Sequence, residues 1–419
     1  MVNVTTSIHI EPSGDTSGRA DYASISSAIE SFRRSKTIGT ITLSGEYSVN
    51  APLVVGDPTD DTVLPCNIHG IGRAIISYRG PRTSSYLLRM HGIPVRWNDC
   101  VPHQRLTQVA LRCHGNCRGL LLHNQYYFQE CSNLQVNQSI EVGLDVVGSH
   151  VSSLRNIHVQ QAFGCGVRIF GSANATVDNL RIANCVAARQ ATGASREMLK
   201  YECVHGRDAT VAKYGTDYME AWPDANDESV RRGASPNGTP RYAQTDAELR
   251  CPLYLDASSI TIRNLTLEGN ETGSRPLICI KQDNYSCTFD RVYLEDNITG
   301  NCKVLLRAKA DNDSRMHLIK FHDVTCEDYS VTCPTFVRTN GVTSDVHIDG
   351  LRYHYLTDSI ITCDGGRHYG RNLRAIRGGW KQHLQTPAIP PSQWSKAING
   401  GTLMDGTPYG HNCEDVDSN

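Results

Sequence analysis

The chain has 419 residues, 41 Lys and Arg against 43 Asp and Glu, a formal charge of -2, 39% hydrophobic residues and 7% aromatics. Mixed charge near neutrality lacks the basic footprint of a nucleic-acid partner. No run of about 18 apolar residues marks a membrane span, and 20% charged residues with abundant Val, Ile and Leu argue against disorder.

At about 150 residues per domain the length suggests three domains, unless the chain is a repeat. The opening Met1–Ser7 has no basic segment leading into an apolar one, so no secretory signal is expected. From Asp21 to Phe32 the apolar residues Ile25, Ala28, Ile29 and Phe32 fall at helical spacing, which predicts one amphipathic helix. Two strand-like stretches follow, Gly39–Val49 and Pro52–Val55.

The middle of the chain repeats. Leu134, Ile157 and Leu180 head similar segments 23 residues apart, and Val109 sits 25 before Leu134. The pattern resumes at Leu265, Val292, Val324 and Leu351, with spacings of 27, 32 and 27, and Leu373 follows 22 later. A second segment recurs at Gly119-Leu120, Gly143-Leu144 and Gly166-Val167. Each alternates apolar and polar residues, which is strand periodicity, and Gly, Ser and Asn bound the units. Short strands on a turn of about 23 residues predict an all-β fold, a single-stranded right-handed parallel β-helix whose stacked coils share one core. Asn133, Asn156, Asn179, Asn264 and Asn372 hold one repeat position, where an amide ladder is favoured over a plain turn role.

Residues 186–256 interrupt the pattern, since Leu180 and Leu265 lie 85 apart. This polar insertion carries Tyr201, Tyr214, Tyr218, Trp222 and Tyr242 and reads equally as a binding element or as a solvated flap or subunit contact. The expected organisation is an N-terminal segment over 1–56 with a helix capping the first coil, a β-helix over 57–376 and a non-repeat tail over 377–419 for capping, swapping or attachment.

The opening resembles a known family. The stretch from Asp21 through Ile25, Ala28 and Ile29, then Gly39 to Val49, Pro52-Leu53 and Ile68-His69-Gly70-Ile71-Gly72, is similar to the start of the pectate-lyase-like β-helix superfamily. That group contains polysaccharide lyases, glycoside hydrolases and bacteriophage tailspikes. The likeness covers about residues 10–80, and the repeats extend it to about 376. It implies the fold strongly and the function weakly, and it implies a homotrimer.

Aligning the coils places Glu268, Glu295 and Glu327 in one outward slot, with Asp296 and Asp328 following the last two. Stacked carboxylates about 5 Å apart repel by about 3 kcal/mol at an effective dielectric of 20, less where water screens them. Binding Ca²⁺, a raised carboxyl pKa suited to a general acid, or splaying into solvent would each relieve that. Glu268, Glu295, Glu327, Asp296 and Asp328 are therefore the catalytic candidates, against the plainer reading of a solvated acidic face. Tyr293, Tyr329, Tyr353 and Tyr355 are the candidate sugar-stacking residues. No cofactor is required, and Ca²⁺ is the candidate ion for the acidic stack.

The best-known catalytic signatures of the superfamily, the Arg-x-x-Pro-x-x-Arg of pectate lyases and the polygalacturonase set, are missing, so no catalytic residue carries over from them. The 16 cysteines show no CxxC pair and read as small core residues, with Cys113 and Cys117 nearest each other. The histidines show no pair at i, i+4. Nine Asn-x-Ser/Thr triplets, among them Asn270 and Asn297, follow from a composition rich in Asn, Ser and Thr. The reading is a virion structural protein of a bacteriophage-like virus, a surface decoration, head fibre or spike that can bind glycan. It would be made in the host cytoplasm, carried on the virion, and partnered by capsid or tail proteins and cell-surface polysaccharide. The alternative is a tailspike-type depolymerase, an endo-acting lyase or glycoside hydrolase.

Overall fold

The computed structural model describes residues 7–35, 38–57, 66–92, 104–123, 130–150, 152–162, 164–185, 207–215, 251–273, 275–281, 286–299, 302–307, 315–328, 333–340, 343–353, 356–362 and 367–377, with three two-residue strands beyond. Contacts divide the chain into two units, one holding Met1–Leu180 with Glu228–Thr245 and the other Arg181–Asp227 with Asp246–Asn419.

The first unit opens with the strand Ser7–Ile10 and the helix Arg19–Ser35. The helix buries Ile25, Ala28 and Phe32 and packs against the strands Thr40–Val49 and Leu53–Val55. Asp21 on the same face is buried because its carboxylate accepts the backbone N–H groups of Ser13 and Ser48, each at 2.7 Å. The long sheet then adds Asn67–Tyr78, Arg105–Arg112, Glu130–Asn137, Ser153–Gln160 and Thr176–Ala183 in chain order, the last strand counting with the second unit from Arg181 on. A second sheet takes the alternate strands Leu53–Val55, Tyr86–His91, Arg118–His123, Val142–Val147 and Cys165–Ala173. The paired strands within each sheet run parallel, which is the signature of a parallel β-helix.

The repeat register is the one the sequence implies. Ile157 pairs Leu134 and Val159 pairs Val136 in the long sheet, while Leu144 pairs Leu120 and Val167 pairs Leu144 in the second. These residues are at most 4% exposed. The glycines of the second sheet mark close approach. A Cβ on Gly119 would lie 2.1 Å from the Gly143 carbonyl oxygen, and one on Gly143 2.3 Å from a Val159 methyl.

In the second unit the long-sheet strands are Ile260–Glu268, Cys287–Glu295, Arg315–Glu327, Thr343–Tyr353 and Arg367–Arg377. The second sheet holds Leu253–Ser258, Ile278–Lys281, Cys302–Arg307, Cys333–Asn340 and Leu356–Thr362. Leu265, Val292, Val324, Leu351 and Leu373 stack in register. Of the 186–256 insertion, only the helix Arg207–Tyr214 with Gly215 and the start of the coil at Cys251 are described. Most of the 377–419 tail also lies outside the described residues.

One regularity departs from simple alternation. Cys131 and Leu134 both face the core, as do Leu154 and Ile157, Phe289 and Val292, and Phe321 and Val324. A step of three between inward residues needs a break in the pleat. It falls on Asn133, Asn156, Asn179, Asn264, Arg291 and Asp323, whose φ lies between 51° and 59°. Asn and Asp enter this left-handed region more readily than other non-glycine residues. The same asparagines also bond along the stack: Asn156 Nδ2 donates to Asn133 Oδ1 at 2.9 Å, and Asn179 Nδ2 to Asn156 Oδ1 at 2.8 Å.

In the second sheet Asp145, the polar residue between Leu144 and Val146, is fully buried. Arg168 grips it through both oxygens, and the Tyr86 hydroxyl donates to it. A buried carboxylate persists when so paired.

Candidate functional site

Three adjacent long-sheet strands of the second unit end in glutamate. Their inward residues Leu267, Leu294 and Cys326 are buried, so the following residue points outward. Glu268 pairs in register with Glu295, and Glu295 with Glu327. The expected carboxylate file therefore exists. Coil spacing of about 4.8 Å sets the separation of neighbouring strands.

The three carboxylates meet different surroundings. Glu268 forms an ion pair with Arg181. Glu327 accepts a hydrogen bond from the Tyr293 hydroxyl at 2.7 Å. Glu295 lies between them, and its pKa is raised from 4.5 first by burial and then by the negative charges of Glu268, Asp296 and Glu327, with Arg181 opposing. One acid is thus held toward its protonated form beside two carboxylates that have donors.

The remaining candidates separate. Asp296 is exposed at φ 52° and serves as the turn residue that ends its strand. Asp328 leaves the outward file: it is 1% exposed, with its Oδ2 accepting from Lys303 Nζ and its Oδ1 from Asn297. Tyr353 is 2% exposed, because it continues the inward row of Leu267, Leu294 and Cys326, so it offers no sugar platform. Tyr293 stands beside the file as expected, while Tyr329 and Tyr355 lie outside the described residues.

Arg181 was not among the sequence candidates. The signal was present, since aligning Leu180 with Leu265 puts Arg181 in the slot of Thr266 and Tyr293, but the 85-residue gap hides it. Among the described residues no group of three or more His, Cys, Asp or Glu side chains is arranged to hold a metal ion. The donors Ca²⁺ would need at the file are partly taken, Glu268 by Arg181 and Glu327 by Tyr293. Asn270 and Asn297, both in Asn-x-Thr triplets, are fully buried and closed to glycosylation as folded.

The chain is an all-β protein of two long parallel sheets, the parallel β-helix arrangement that the repeats predicted. No protein-family model matches it, and no curated protein does. Among solved structures it resembles the Agl-KA catalytic domain, with a TM-score of 0.51 and 10% identity over 98% of this chain and 68% of that one. It also resembles the enzymatically active domain of bacteriophage CBA120 tailspike protein 2, with a TM-score of 0.50 and 10% identity over 90% of this chain and 48% of that one. The Acinetobacter phage vb_AbaP_AS12 gp42 tailspike matches with a TM-score of 0.50 and 10% identity over 96% of this chain. The chain spans 48% and 64% of the lengths of the two phage proteins. At such identities the likeness is one of fold. Among the described residues no helix is long and apolar enough to cross a membrane.

Proposed function

We propose that this chain is a spike or fibre protein of a bacteriophage-like virion that engages a cell-surface polysaccharide along the Glu268–Glu295–Glu327 file and hydrolyses it there. The observation that carries the reading is the in-register carboxylate file, in which Glu295, its pKa raised by burial and by neighbouring carboxylates, stands between Glu268 paired with Arg181 and Glu327 bonded to Tyr293. Glycoside hydrolysis needs one carboxylic acid to protonate the leaving oxygen and one carboxylate to act across the bond. Glu295 takes the first role. Glu327 takes the second, since Glu268 is engaged by Arg181 while the Tyr293 hydroxyl positions Glu327.

The coil spacing of about 4.8 Å lies near the roughly 5–5.5 Å separation of retaining pairs, so retention of anomeric configuration is expected. The purified protein should shorten a bacterial surface polysaccharide, read as new reducing ends. Glu295→Gln should lower the rate by about 10²–10⁴-fold. Homotrimer formation and attachment to capsid or tail proteins belong to the same reading.

A second reading is a virion protein that binds glycan without turnover. Tyr353 favours it, because its inward side chain leaves Tyr293 as the described candidate aromatic beside the file. Glycan binding with no chain shortening across a broad panel would select it.

A further inference from the structure

The second unit contains a buried amine and carboxyl in contact. Lys303, on the strand Cys302–Arg307, and Asp328, just past the strand Arg315–Glu327, are each 1% exposed. Lys303 Nζ lies 2.5 Å from Asp328 Oδ2. The other oxygen, Oδ1, accepts from the Asn297 backbone N–H at 2.7 Å and from Asn297 Nδ2 at 3.0 Å. Asn297 is itself held. Its Nδ2 also donates to the Leu267 carbonyl at 2.8 Å, and its Oδ1 accepts from Asn270 Nδ2 at 2.8 Å.

One oxygen of the carboxyl thus faces two fixed N–H donors and the other faces an amine. This is the layout of an acyl-transfer site, with an oxyanion hole on one side and a nucleophile at contact distance on the other. Burial fixes both partners and excludes the water that would reverse the reaction.

We propose that Lys303 and Asp328 condense within the folded chain to an isopeptide crosslink, an amide between Nζ and Cγ. A proton passes from Nζ to Oδ2, and the neutral amine attacks Cγ. The N–C bond forms while the charge on Oδ1 is held by the two Asn297 donors. A second proton then moves from nitrogen to Oδ2, the Cγ–Oδ2 bond breaks and water leaves. Of the three ammonium hydrogens one stays on the amide and two depart with the oxygen, so the step needs no oxidant and no outside acid. Neither residue belongs to the carboxylate file, and the proposal stands apart from the polysaccharide reading. The link joins residues 25 apart and constrains the unfolded chain as a disulfide does, but without redox sensitivity.

The test is the intact mass of the full-length chain, denatured, followed by peptide mapping. The wild type should weigh one water less than its sequence, and digestion should release a branched peptide joining Lys303 to Asp328. Lys303→Arg should return the full sequence mass. Asn297→Ala, which keeps both partners but removes the side-chain donor, should slow the loss of water in freshly made protein. A wild-type chain at full sequence mass that is cleaved normally after Lys303 would overturn the proposal, and this arm depends on no variant folding.

Discussion

Asn156 does two things at one position. Its φ of 52° makes the three-residue step between Leu154 and Ile157, and its side chain links Asn133 to Asn179. Ala at this position keeps neither advantage, and the left-handed backbone alone costs about 1–2 kcal/mol for an ordinary L-residue. Asn156→Ala should therefore lower stability by about 2 kcal/mol in urea unfolding, and Asn156→Gly by less, since Gly accepts the backbone and loses only the exposed bonds. Equal losses would show that the φ requirement is unimportant. The amide ladder was legible in the sequence because the Asn register is kept. The backbone break was not, because Arg291 and Asp323 occupy the same slot and a list of side chains does not reveal φ. Asp145 was missed for a related reason: alternation assigns a face, but not whether that face is covered. Arg168→Ala would leave Asp145 buried without its bidentate partner and should cost about 3–5 kcal/mol, read by the same unfolding curves.

At the scale of elements, the strand pairs and their inward rows could be read from period and spacing, since each coil must bury the same apolar positions. The glycine row of the second sheet was seen as a repeat, and its cause is now visible. Gly143 sits where a methyl would meet a Val159 side chain at 2.3 Å and the Gly166 carbonyl at 2.7 Å. Gly143→Ala should destabilise the first unit by about 1–3 kcal/mol through overpacking, measured by thermal melting. The N-terminal helix was predicted from Ile25, Ala28, Ile29 and Phe32; Ile25, Ala28 and Phe32 form its buried face, whereas Ile29 is only half-buried. What the pattern could not supply was the split among the acidic residues. Glu268, Glu295 and Glu327 keep the outward slot, whereas Asp328, one residue further along, turns inward onto Lys303. Only the turn geometry after each strand separates these cases.

At the scale of the whole molecule, the near-zero charge conceals a local arrangement in which three glutamates line up in the second unit. This arrangement has a pH signature. The Glu295 pKa is raised in the folded chain, so the folded state holds its proton more tightly than the unfolded one. Its contribution to stability is present below about pH 4.5 and is lost as pH rises through the raised value. Glu295→Gln should remove that part of the decline and be the more stable form at neutral pH, by less than about 1 kcal/mol because water screens the file. A variant with the same pH dependence as wild type would show that Glu295 is not perturbed. The fold alone does not select a function, since one fold hosts many chemistries. The central claim concerns the chemistry of Glu295. The most direct measurement compares wild type and Glu295→Gln on a panel of neutral and acidic bacterial surface polysaccharides, with chain length and new reducing ends followed over time. The account predicts shortening of at least one polysaccharide by the wild type and loss of that shortening, with glycan binding kept, in the variant. Equal shortening by both proteins, or none by the wild type on any member of the panel, would contradict it.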